Sequence, residues 1–288
     1  MKSTTTLLLS SLILVSCGRG TQKSCDTECK KSKLNSSEVR LNRFWSKQPK
    51  SESIVKEAPQ ELIEYINLDN AIHGYKFETK RSDDKKFFKN IKTALDSLPS
   101  AVKKLVAKKL IGIFPVRNLG TSGYTEKVFD PLSKKPVGGF ILLDESFGSM
   151  PINKWATKRE NMPFKKNGPI RITARFSNSS NASVVETIRY VLLHELGHIL
   201  AIGGNFHPPW GHKGDLNLNK YPFLNYSWEL NGNQIEPKLK EVKSFFKNVS
   251  YYRKAKLNNQ KALEVFKILS TQNFPSLYGV ISPYEDFA

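Results

Sequence analysis

The chain has 288 residues, with 45 Lys and Arg against 26 Asp and Glu, giving a formal net charge of +19. That balance favours anionic partners, yet the lysines fall in scattered pairs such as Lys85-Lys86, Lys103-Lys104 and Lys165-Lys166. No nucleic-acid-binding module surrounds them, so nucleic acid is not an expected partner. All three cysteines lie within the first 29 positions, which excludes cysteine-protease chemistry in the rest of the chain.

Taken in order, the chain opens on Met1-Lys2 and an apolar run, Leu7 to Val15, too short to span a bilayer as a helix. The run ends in Leu14-Val15-Ser16-Cys17, which resembles the lipobox of bacterial lipoproteins. That resemblance implies removal of residues 1–16 as a signal peptide and lipidation of Cys17. The protein would then be exported and held on a membrane of the bacterial cell envelope. No later apolar stretch is long enough for a transmembrane helix. Removing the signal leaves roughly 270 residues, enough for a sizeable core.

Residues 17–55 are polar and rich in Ser and Lys, and read as a flexible tether. Within them Cys25 and Cys29 can close a local disulfide in an oxidising compartment, or pair with another chain. Residues 56–288 form the folded domain. Helical spacing begins at 56–67 and recurs from Asp83 to Leu98 (Phe87, Ile91, Leu95) and from Ser100 to Leu110 (Val102, Leu105, Leu110).

The period then changes. Ile111 to Val116 is apolar and β-branched, with Pro115 pointing to an edge or strand end. Glu126–Phe129 and Gly138–Asp144 flank a hairpin loop at 131–136, and Gly139–Asp144 is a strong strand. Ile170–Phe176 alternates polar and apolar residues. Beyond the central helix described next, Lys238–Phe246 and Gln260–Leu269 are further helix candidates.

Between these lies His194-Glu195-Leu196-Gly197-His198. Four residues of α-helix turn about 400°, so the two imidazoles stand one above the other and can share one zinc ion. Glu195 sits beside them as a candidate general base. The flanks predict that helix. Ser183 and Glu186 form a capping box, Val184, Val185, Ile188, Leu192, Ile199 and Leu200 trace a buried face, and Gly203-Gly204 stops it.

A catalytic zinc needs a third protein ligand. A third histidine six residues after His198 is absent, because that position is Gly204. His207, His212 and Asp215 in the following loop are possible ligands. In the tail, Ser282, Pro283 and Glu285 fit a helix N-terminus, with Glu285 at the capping-box position.

The tail Ser276-Leu277-Tyr278-Gly279 with Ser282-Pro283-Tyr284-Glu285-Asp286-Phe287-Ala288 resembles the second motif of the anthrax lethal factor-like zinc peptidases, of the gluzincin type. The resemblance covers mainly Thr187–His198 and Leu277–Ala288. It implies zinc ligands His194, His198 and Glu285, water activation by Glu195 and oxyanion stabilisation by Tyr278. It also implies an α+β, zincin-like metallopeptidase fold: a small mixed sheet with an edge strand above the H-E-x-x-H helix, then a mainly helical C-terminal part. Gly139–Asp144 is the expected edge on which a peptide substrate lies, and Asp286 a possible partner of a ligand histidine. The chain departs from the family in one respect. Only three residues follow Glu285, and a single helical turn is poorly stable by itself.

The expected function is therefore an exported, lipid-anchored zinc endopeptidase acting on a peptide or protein substrate. The alternatives are a zinc fold without turnover and a cationic envelope-binding lipoprotein.

Overall fold

A computed structural model describes residues 25–43, 45, 53–178, 183–210, 212 and 216–288. Residues 1–16, expected to be a signal peptide, Cys17 and Asp215 lie outside the described residues. Neighbouring residues of a strand point to opposite faces, and this alternation sets the architecture. Four strands, β1 (Lys80–Arg81), β2 (Leu110–Arg117), β3 (Gly123–Phe129) and β4 (Pro136–Asp144), form one sheet in the order β1-β2-β4-β3. β2 and β4 run parallel; β1 against β2 and β3 against β4 are antiparallel. The sheet is thus mixed, and the fold is α+β.

One face carries Phe114, Val116, Val128, Phe140 and Leu142. It is covered by α1 (Thr27–Asn35) and α2 (Gln60–Ile72) through Leu34, Leu62, Ile63 and Ile66. The opposite face carries Ile113, Ile141 and Leu143. Against it pack α3 (Lys85–Asp96), α4 (Ser100–Val106), α5 (Ile152–Asn161) and α6 (Val184–Ala201) through Phe87, Ile91, Val106, Trp155, Ile188, Leu192 and Ile199. Downstream, the hairpin β5 (Trp228–Asn231) and β6 (Gln234–Pro237), with α7 (Lys240–Phe246), α8 (Ala262–Leu269) and the single turn α9 (Pro283–Phe287), enclose a third core around Trp228, Val242, Val265 and Leu277.

Three expectations need correction. First, Gly139–Asp144 is not an edge. It lies within β4, hydrogen-bonded to β2 on one side and β3 on the other. Its unbroken apolar run is the composition of a strand covered on both faces, and the strand at that end of the sheet is β3. Second, Ile170–Phe176, whose alternation of polar and apolar residues is that of a strand, joins no sheet. Its alternate backbone groups bond instead to a row of side chains on α5. Asn161 pairs with Ile172, Thr157 with Ala174, and Asn153 accepts from Phe176 N at 2.8 Å. Asn153, Thr157 and Asn161 are four residues apart, so one helix face supplies what a strand partner would.

Third, part of the expected tether is folded. Cys25 and Cys29 form a disulfide, Asp26 caps α1, and Leu34, Val39 and Trp45 reach the sheet. Trp45 lies 5.6 Å from the Phe114 ring and 5.9 Å from Phe140. Too few apolar residues are spread over this segment to give a readable period. Pro115 stands within β2, at a point where the outer neighbour is only the two-residue β1. No described helix is long and apolar enough to cross a membrane.

Candidate metal centre

The capping box at the start of α6 forms as the spacing predicts. Glu186 N donates to Ser183 Oγ at 3.2 Å, and Ser183 N to Glu186 Oε2 at 2.7 Å. Ile188, Leu192, Leu196 and Ile199 bury one stripe of the helix. With that face fixed, His194 and His198 emerge side by side, ring centroids 4.9 Å apart and nearly perpendicular.

Glu285 meets them from 87 residues further along the chain. Its Oε2 lies 2.9 Å from His194 Nε2 and 3.6 Å from His198 Nε2. Ligand atoms of the three residues all fall within 4.8 Å of one another. Burial acts to raise the Glu285 carboxyl, but the hydrogen bonds and charges of His194 and His198 hold it well below the usual carboxylate range. Two imidazole nitrogens and an ionised carboxylate are the donors a divalent transition metal takes. No other group of three or more such residues converges among the described residues.

The alternative role of Glu285 is only half present. Ser282 Oγ accepts from Glu285 N at 3.3 Å, while the carboxylate turns to the histidines. What holds this single turn is packing. Phe287 stacks on Phe206 at 4.4 Å and meets Phe223 edge-on at 5.3 Å, and Asp286 accepts from Trp228 Nε1 at 2.8 Å. Asp286 is therefore committed to Trp228 and is not a partner of a ligand histidine; burial pushes its carboxyl up to about 6.

Ala288 rests on Gly197 so closely that a Cβ at 197 would stand 2.9 Å from the Ala288 Cα. The glycine of H-E-L-G-H thus admits the segment that carries Glu285. Gly197→Ala should displace that segment. It should weaken metal affinity on the order of 10–100-fold, the scale seen for supporting residues of metal sites, with helix content unchanged; equilibrium metal titration with circular dichroism checks this.

Glu195 lies on the sheet side of the same helix turn. Thr125 Oγ1 donates to its Oε2 at 2.7 Å, and a Cβ at Gly123 would come within 2.3 Å of its Oε1. Burial raises its carboxyl, while His194, His198 and the Thr125 hydrogen bond pull it back. Tyr278 stands beside His194, ring centroids 5.6 Å apart, with the Tyr251 ring edge-on at 4.8 Å. Burial and the nearby Glu285 charge raise its phenol well above the ordinary range, so it remains a hydrogen-bond donor. A cleft of about 370 Å³ brings His194, Glu195, His198, Tyr278 and Glu285 together under β3.

Of the other expected ligands, the two that are described, His207 and His212, are not part of this cluster. His207 is buried behind Trp210, whose ring lies 5.6 Å from His198 and 6.5 Å from His207. Burial lowers its pKa. His212 is exposed. Thr125, Gly123 and Trp210 belong to the site but sit in no motif, and only the path of the chain brings them there. Comparison with known protein families, with curated proteins and with solved structures finds no match for this chain.

Proposed function

We propose that this chain is a zinc-dependent endopeptidase with a zincin-like fold, exported and anchored through a lipidated Cys17. The observation that carries the reading is the arrival of Glu285 on His194 and His198, with Glu195 buried at their side beneath an edge strand. The Cys25–Cys29 disulfide is in keeping with an oxidising, exported setting. His194, His198 and Glu285 would hold the zinc. When bound, that ion polarises a scissile carbonyl and makes water acidic enough to deprotonate near neutral pH.

Glu195 takes the proton of the attacking water and passes it to the leaving amine. Its burial keeps it a better base than an exposed carboxylate. Tyr278 donates to the oxygen on which negative charge develops. Among the described residues, β3 pairs as a strand with β4 alone. Its free edge borders the cleft through Gly123 and Thr125, so an extended peptide can add there as a further strand.

The purified chain is expected to carry one zinc per molecule and to cleave peptides from a mixed library, with both properties lost on chelation. Zinc at a thousandfold over its Kd stabilises the fold by about 4 kcal/mol. Chelator should therefore lower the melting temperature by roughly 8–16 °C for a domain of this size. A chain that takes up no zinc at micromolar free metal sinks the reading.

A further inference from the structure

Beside the zinc cleft lies a second feature that peptide-bond hydrolysis does not use. Arg159, on α5, is buried to 5% exposure. Its guanidinium is covered by aromatic rings: Tyr278 at 4.5 Å, Trp155 at 5.2 Å and Tyr190 at 5.6 Å from the ring centroids. Rings over the faces of a guanidinium leave its in-plane N–H donors as the groups still to be satisfied. One donor meets an acceptor, Nη1 to the Tyr190 hydroxyl at 3.3 Å, while Nε is buried with none.

No described carboxylate forms an ion pair with Arg159. Its neighbour Glu160 is itself buried, with Oε1 unpartnered; the two charges act on one another, but no salt bridge or hydrogen bond joins them. A buried guanidinium whose donors lack a directly paired acceptor is costly unless something binds them. Cation–π contacts and a neighbouring charge alone do not supply that acceptor.

The position of Arg159 says what does. It lines a neck of about 30 Å³ together with Ser122, Trp155, Tyr190, His194 and Glu195. That is room for about two water molecules or one carboxylate group. On one side the neck shares His194, Glu195 and Tyr278 with the zinc cleft. On the other it shares Ser122, Trp155 and Tyr252 with a cavity of about 470 Å³ that can take the body of a further residue. A guanidinium presents its donors as a planar fork that matches a carboxylate.

We propose that Arg159 forms a carboxylate-binding subsite next to the scissile bond, so that the enzyme selects an acidic group at one fixed position of its substrate. This inference rests on the peptidase reading, but the two can fail separately. The carboxylate has two possible sources, a Glu or Asp side chain or the C-terminus of a short substrate.

The test uses the zinc-loaded native chain and a mixed peptide library with free and amidated C-termini, its cleavage products read by mass spectrometry. Glu and Asp should be enriched at least tenfold at one position adjoining the cut, in amidated peptides as well if the source is a side chain. Enrichment confined to free C-termini assigns the terminal carboxylate instead. Exchanging that Glu for Gln in the best peptide should cost the native enzyme tenfold or more in kcat/KM, a measurement that needs no variant. Arg159→Met should erase the Glu-over-Gln preference and Arg159→Lys should keep part of it, whatever either does to overall rate through Tyr278.

Cleavage without acidic preference, or a preference unchanged in Arg159→Met, overturns the subsite and leaves the peptidase standing. Absence of cleavage counts against the peptidase. In that case calorimetric titration with N-acetyl-glutamate and N-acetyl-glutamine decides: a glutamate preference lost in Arg159→Met supports the subsite, and equal or absent binding overturns it.

Discussion

Glu285→Ala is expected to strip the metal centre while leaving the fold in place. Removing one of three protein ligands should reduce zinc affinity by more than the roughly 10–100-fold that changes behind the ligands cause. Metal content at micromolar zinc should therefore fall from one per chain to near zero. The fold should survive because α9 does not depend on the ion for its position. Phe287 on Phe206 and Phe223, Asp286 on Trp228, and Ala288 on Gly197 hold the turn by packing and a buried hydrogen bond. Near-native helix content with little bound zinc, measured by circular dichroism and elemental analysis on one sample, is the expected pair of results. Normal zinc binding would return the third-ligand role to His207, His212 or Asp215. His207→Ala is the matched control and should keep the metal, since that ring lies behind Trp210.

How much of this was legible before the structure depends on the range of each signal. The α6 helix carries its own evidence: a capping box, an apolar stripe and two histidines four residues apart all lie within about one helix length. Glu285 could be reached because the tail motif is compact in sequence, although nothing local placed it against residue 194. The edge strand was misassigned for a physical reason. An apolar run reports burial on both faces, not which strands lie beside it; Phe140–Leu143 is buried throughout, and it is the pairing of β4 with both β2 and β3 that makes it central. The segment 170–176 alternates as a strand does, yet its partners are Asn and Thr side chains of a helix, which no period can announce. Residues 27–35 failed the opposite way, with one buried residue, Leu34, in a polar helix fixed by a disulfide and a cap. Thr125, Trp210 and Arg159 reach the cleft through topology alone.

Glu195→Gln isolates the chemistry from the metal. The amide has the shape of the carboxylate and still accepts a hydrogen bond from Thr125, so the tight fit beneath Gly123 is kept. His194, His198 and Glu285 are untouched, and zinc content and melting temperature should match the native chain. What is lost is the ability to take a proton, and positioned general bases contribute about 10²–10⁴-fold. The kcat should fall by about that factor, with KM little changed. On the proposed mechanism the native chain carries a second mark of the same group. Burial raises the Glu195 carboxyl, and only its ionised form is a base. The acid limb of kcat/KM should therefore lie at higher pH than an exposed glutamate would give, and residual activity of the variant should lack that limb. Gly123→Ala offers the converse case, because its Cβ would collide with Glu195 Oε1 and move the base without changing its chemistry. That variant should lose rate and keep an acid limb. Activity of Glu195→Gln equal to the native enzyme, at full zinc occupancy, would remove Glu195 from the mechanism and leave the buried carboxylate as a packing partner of Thr125.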